Sequence, residues 1–279
     1  MYRQPWGEHR LALRKTERKR AVGGGRRLSL ASFDDRLLCF LVYARLYCTY
    51  DLLGYLFDCD PATACRTVAD IRSVVGDRLL VNRAGRRIRT IDELLQVHPE
   101  LEEVLLDVTE QKIPRPKNKK KRKSHHSGKK QAFTLMTQVL TNKDSFMLHV
   151  SPPTAGRRHD VTLFKKSAVP KGLAKHKDRL QCRADGGYEG MAKQYPDIRI
   201  LTPVKRQRNK PELTKQEIRS NNLHSSKRIP VEHSFAGVKQ FQLLGQNSRG
   251  KEKDYKRYFV AIASVRNFRM LIRAEQPAS

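Results

Sequence analysis

The chain has 279 residues, enough for two modest domains or one large one, and its 38% hydrophobic content suffices for a core. Its 57 Lys and Arg stand against 28 Asp and Glu, a formal net charge of +29. Self-repulsion at that level calls for a polyanion, and nucleic acid is the one such a surface attracts. No apolar run could span a bilayer, no signal-peptide stretch follows the basic N-terminus, and the cysteines (Cys39, Cys48, Cys59, Cys65 and Cys182) include no CxxC pair. A membrane role, a disulfide framework and a zinc site are therefore disfavoured, and a cytoplasmic protein is expected.

Residues 1–28 form a basic, Gly-containing arm. Helical spacing of Leu37, Leu38, Phe40, Leu41 and Ala44 predicts a helix from Ser32 to Leu46. A second helix is expected from Thr49 to Phe57. A third is capped by Asp60, opened by Pro61 and stopped at Gly76. A tight turn between two helices in a basic context predicts a helix-turn-helix over residues 29–76. Thr63, Arg66, Thr67 and Arg72 would then face the DNA major groove. A polar connector, 77–100, contains a short helix from Ile91 to Val97.

The pattern then changes. Val104 to Thr109 reads as a short strand with Asp107 at its end, and the Arg/Lys run from Arg115 to Lys130 as a solvated loop. Ala132–Thr141 and Phe146–Ser151 read as a hairpin. A short helix follows from Asp160, which would serve as its N-cap. Leu180–Ala184 is a strand running into Asp185 and two glycines, Ile198–Thr202 is another, and Lys205–Ser226 is a polar stretch. Helices from Pro230 to Leu244 and from Asp254 to Ile272 close a domain of residues 101–273, before a tail of 274–279. In this reading Glu232 lies in a helical first turn, where an acid also suits the helix dipole.

Acids at strand ends are placed where α/β sheets usually carry chemistry. Gathered together, Asp107, Asp185 and Glu232 would need a cation, and carboxylate oxygens suit Mg²⁺ or Mn²⁺. Two such ions activate a water and stabilise a leaving oxygen in phosphodiester chemistry. Asp160 is the rival to Asp185, which is preferred because the glycines beside it allow close approach to the backbone.

The local motifs resemble those of DDE transposases of bacterial insertion sequences, in the branch called insertion sequence five, related to Harbinger elements. The matching stretches are Asp107-Val-Thr-Glu110, Ser127-Gly-Lys-Lys130, His159-Asp160 with Leu163, Ala184-Asp-Gly-Gly-Tyr-Glu-Gly190, Arg228 with Val231-Glu-His233, and Asn267. They occur in order over residues 30–272. The resemblance implies a mixed α/β, ribonuclease-H-like catalytic domain behind an all-helical helix-turn-helix. It also implies hydrolysis at the terminal inverted repeats of a mobile element, then joining of the 3′-OH to target DNA, with two metal ions and a homodimer assembled on the DNA. Related chains carry Tyr, Arg, Glu and Lys where this one has Ser225, Arg228, Glu232 and Lys239, so the tyrosine contact is missing here. Arg228 and Lys239, with Lys129 and Lys130, are expected to hold phosphates. The alternative is a transposase-derived DNA-binding protein without catalysis.

Overall fold

The computed structural model describes residues 29–78, 90–206 and 212–275. The basic arm, much of the connector and the last four residues of the tail lie outside the described residues. The N-terminal helices are α1 (Phe33–Leu46), α2 (Tyr50–Leu56) and α3 (Pro61–Arg78). Each starts on a cap: Ser32 Oγ accepts from Asp35 N–H at 2.9 Å, Thr49 Oγ1 from Leu52 N–H at 3.3 Å, and Asp60 Oδ1 from Thr63 N–H at 2.9 Å. The turn from α2 to α3 closes over Gly54. A Cβ there would stand 2.5 Å from the Cys59 carbonyl oxygen, so only glycine permits this return. Helix α3 runs through Gly76 to Arg78, past its expected end. Ile71 and Val75 in its last turns are buried in the core, and this packing outweighs the cost of one glycine.

After α4 (Ile91–Val97) comes a sheet of β1 (Glu103–Lys112), β2 (His126–Ser127), β3 (Ala132–Thr141), β4 (Met147–Val150), β5 (Thr154–Ala155), β6 (Gln181–Ala184) and β7 (Arg199–Leu201). Its order is β2-β3-β1-β6-β7, with β4 and β5 also paired to β3. β1 is antiparallel to β3 and parallel to β6, and β6 is parallel to β7. This is the ribonuclease-H-like arrangement expected from the motifs. The remaining helices are α5 (Lys119–His125), α6 (Asp160–Lys166), α7 (Val169–Lys175), α8 (Met191–Gln194), α9 (Lys215–Lys239), α10 (Gln242–Gly245) and α11 (Glu252–Glu275), with a 3₁₀ turn at Gly186–Tyr188.

Three expectations are corrected. Asp107 is mid-strand, since β1 extends to Lys112. Part of the Arg/Lys run is helical: Asn118 Oδ1 caps α5 by accepting from Lys120 and Lys121 N–H, and Lys and Arg are good helix formers. Helix α9 begins 15 residues before Pro230 and carries that proline inside it. Its start is a capping box, in which Thr214 Oγ1 accepts from Glu217 N–H while Glu217 Oε2 accepts from Thr214 N–H.

Two hydrophobic clusters sandwich the sheet. On one side Phe40, Leu53, Val68 and Ile71 of the N-terminal helices pack with Phe259 and Ile262 of α11 and with Val139 and Met147 of the sheet. The helix-turn-helix therefore shares a core with the C-terminal helix. On the other side Leu94, Phe164, Leu173 and Tyr188 cover Leu106, Leu140 and Cys182. Among the described residues no helix is long and apolar enough to cross a membrane.

Candidate active site

The parallel pairing of β1 with β6 ends at Leu106 and Ala184. The next residue on each strand is an aspartate. Beyond that point β1 bonds β3 alone, so Asp107, still paired to Val139 of β3, and Asp185, just past β6, stand side by side at the carboxyl end of the parallel pair. Asp107 thus stands at an end after all, that of its pairing with β6. Its Oδ1 accepts from Val108 N–H at 2.7 Å, and its Oδ2 accepts from Arg228 Nη2 on α9 at 2.8 Å. Asp185 caps the 3₁₀ turn, accepting from Gly187 N–H at 2.9 Å.

Asp160 joins this pair. It is the first residue of α6 rather than its cap; His159 holds the cap position without a side-chain bond. Asp160 Oδ2 and Asp185 Oδ1 each lie 3.0 Å from the point where a Cβ on Gly187 would sit. A side chain there would force the two carboxylates apart, which gives Gly187 a steric reason.

Burial raises the Asp107 carboxyl above the ordinary aspartate value despite the Arg228 guanidinium, and neighbouring Asp185 adds to the rise. Burial, then Asp185 and Asp107, push Asp160 up to about 6. Lys129, from the turn between β2 and β3, opposes the shift at both aspartates. Glu110 of β1 accepts from Thr134 Oγ1 at 2.7 Å and adds further negative charge near Asp160.

Of the expected phosphate-holding cations, Arg228 bonds Asp107, while Lys129 acts on Asp107 and Asp160 through its charge alone. Lys130 and Lys239 adjoin one another; burial first, and Lys130 second, hold the Lys239 ammonium below the ordinary lysine value. Glu232 is one helical turn beyond Arg228, and residues four apart share a face. Its side chain is exposed, and among the described residues it makes no hydrogen bond or ion pair. The structure thus brings Asp107, Asp160 and Asp185 together and leaves Glu232 beside the group.

On α3, Arg66 is exposed and bonds to Thr63 Oγ1 at 3.1 Å. Thr67 is 2% exposed and packs inward with Val68 and Ile71. Arg72 turns toward α11, 3.3 Å from Asp254 and over the Tyr258 ring. Only Thr63 and Arg66 of the four expected DNA contacts face away from the core.

Sequence reasoning missed a network behind Asp185. Arg183 donates to Glu103 Oε1 at 2.7 Å and through Nη1 to His224 Nδ1 at 3.0 Å, while His224 Nε2 donates to the Ala184 carbonyl at 2.9 Å. Burial lowers the His224 pKa, keeping the ring neutral as this pattern requires. The network ties α9 to the residue before Asp185. No local motif announces it, because its members are 41 and 80 residues apart.

The donor set fits a divalent cation. Carboxylates crowd together, burial disfavours the charge of Asp107 and Asp160, and the wholly buried Tyr188 has a hydroxyl with no partner, its ionisation opposed by burial and then by the three aspartates. A bound cation would relieve the repulsion. Among the described residues no three ligating side chains are arranged to hold a metal as they stand.

Residues 106–267 match the family model described as DDE superfamily endonuclease, and residues 28–80 match the helix-turn-helix of DDE superfamily endonuclease. The chain is also similar to a probable transposase for insertion sequence element IS702 of Microchaete diplosiphon, 30% identical over 262 residues that cover 93% of this chain and 88% of that one. Endonucleases of this superfamily depend on divalent metal and work on DNA. The chain belongs to the DDE superfamily of endonucleases and carries that family's helix-turn-helix at its N-terminal end.

Proposed function

We propose that the protein is the transposase of an insertion sequence. It binds the terminal inverted repeats, hydrolyses phosphodiesters at the element's ends and joins the freed 3′-OH to target DNA. The observation that carries this reading is the emergence of Asp107 and Asp185 side by side from the end of a parallel strand pair, in a chain of this family. Asp107 and Asp185 would hold two Mg²⁺ or Mn²⁺ ions, with Glu232 as third ligand and Asp160 as the alternative. When bound, such ions lower the pKa of an attacking water and stabilise the leaving oxygen.

The chain's own residues prepare this chemistry. Arg228 holds Asp107 in orientation through a single Nη2–Oδ2 bond while the substrate is absent, and its guanidinium can exchange that carboxylate for a DNA phosphate. Lys129, Lys130 and Lys239 supply phosphate contacts around the acids. The His224 network fixes the carbonyl before Asp185, so the carboxylate leaves the sheet at a set angle. Thr63 and Arg66 face the DNA from α3. The protein dimerises on paired ends, and it works in the cytoplasm at the nucleoid.

Incubating the protein with duplex carrying the element's ends, with and without Mg²⁺, tests the proposal. Metal-dependent nicking at the ends is expected, and sequence-specific binding without nicking would refute it. One observation favours the second reading, a DNA-binding protein without catalysis: the Glu232 side chain is exposed, and no hydrogen bond or ion pair ties it to the aspartates. The same assay decides between them.

A further inference from the structure

A cavity of about 1050 Å³ is of opposite character to the acidic group. Its walls come from two parts of the chain, the helix-turn-helix and the stretch from Arg249 to Val260, which leads into α11 and forms its first turns. Six basic side chains line it: Arg72, Arg249, Lys251, Lys253, Lys256 and Arg257. Asp51 and Asp254 are the acids that share it, and Asp254 is engaged by Arg72 at 3.3 Å. Arg249 is fixed in place, with its guanidinium 4.1 Å from the Tyr47 ring centroid and bonded to the Tyr47 and Cys48 carbonyls. Lys251 and Lys253 are exposed at the rim.

Arg72 is held by Asp254 and Arg249 by backbone carbonyls, so the exposed ammonium groups of Lys251 and Lys253 are the ones an anion entering the concavity would meet, and the gathered positive charge favours such an anion. Cys65, Ala69 and Arg72 of α3 line the cleft, while Arg66 is exposed on an adjoining face of the same helix. A duplex read by Arg66 would bring its backbone within reach of the rim.

We propose that this cleft is a phosphodiester-binding site. It takes the backbone of the DNA whose bases α3 reads, and it contributes affinity and register without sequence preference. The inference rests on the DNA-binding reading above. Lys251 and Lys253 are its principal phosphate contacts.

The test is the salt dependence of DNA affinity, measured with the full chain on a duplex carrying the element's ends. Each phosphate contact removed lowers the slope of log K against log salt by about 1. Lys251→Gln/Lys253→Gln is expected to lower the slope by about 2 while the preference for end sequence over random duplex is kept. Lys171→Gln/Lys177→Gln, two exposed lysines around α7 on the opposite side of the sheet, is the control for lost net charge and is expected to leave the slope unchanged. Equal slopes for wild type and the cleft variant, or equal losses in both variants, would overturn the proposal. Inorganic phosphate at constant ionic strength is expected not to displace DNA. If phosphate binds in the cleft while the slope is unaffected by its mutation, the site belongs to a free phosphate instead and the proposal fails. Failure of the wild type to bind DNA at all would refute the proposed function rather than this site.

Discussion

The aspartate group at the end of β1 and β6 and the basic cleft beside α3 handle charge in opposite ways. The aspartates are partly buried and crowd one another, and Asp107 and Asp160 are pushed toward their neutral forms within a chain of net charge +29. The cleft bases are spread over a wide concavity, with exposed lysines at its rim. Crowded buried charge costs stability and is retained where chemistry requires it, whereas dispersed surface charge costs little and serves association. The acidic group should therefore govern turnover and the cleft should govern binding.

The largest expected effect lies in the acidic group. Asp107→Ala and Asp185→Ala should each reduce metal-dependent cleavage by about 1000-fold or more, since several kcal/mol of transition-state stabilisation is lost at 1.36 kcal/mol per decade. Gel-shift affinity for the same duplex should stay within a few-fold of wild type. Comparable cleavage loss in Glu232→Gln, with a milder loss in Asp160→Asn, would support Glu232 as third ligand; the reverse order would transfer that role to Asp160.

Next in size is a stability effect. His224→Ala leaves the Arg183 guanidinium and the Ala184 carbonyl short of a partner in a buried setting, at a cost of about 2–4 kcal/mol. Denaturant unfolding monitored by circular dichroism measures it. An unchanged midpoint would remove the network from the account.

A smaller effect separates the two regions by pH. The folded pKa of Asp160, about 6, is above its unfolded value, so stability is fully present when both states are protonated. As pH rises through the ordinary aspartate range the unfolded chain ionises first. Stability is lost until the folded group ionises near pH 6, and it is not regained above. In metal-free buffer Asp160→Asn should therefore unfold later than wild type at pH 8, by about 1–2 kcal/mol after discounting for partial exposure, and the difference should vanish near pH 4. Divalent metal should stabilise wild type at pH 8. A pH-independent difference between the two proteins would mean that Asp160 is not crowded by its neighbours.

Much of this was legible in the sequence where the signal is local. Ser32, Thr49 and Asp60 stand where the helices they cap begin, and the turn residues Asn142–Ser145 announce the β3–β4 hairpin. Pro230 misled because proline commonly opens a helix and rarely sits inside one, yet Thr214 and Glu217 were a readable capping box beginning 16 residues earlier. Thr67 and Arg72 were read as a DNA face from residue type alone. Their orientation depends on α11, nearly 200 residues downstream, against which α3 packs. The meeting of Asp107 with Asp185 depends on where a strand pairing stops, and the joining of Asp160 depends on the path of α6. Local sequence encodes neither.

The most direct test is cleavage of a duplex carrying the element's ends by wild type and by Asp185→Asn in matched Mg²⁺ concentrations, scored alongside binding on the same gel. The account predicts end-specific nicking by wild type, none by the variant, and equal binding by both. Equal nicking by the two proteins would contradict it.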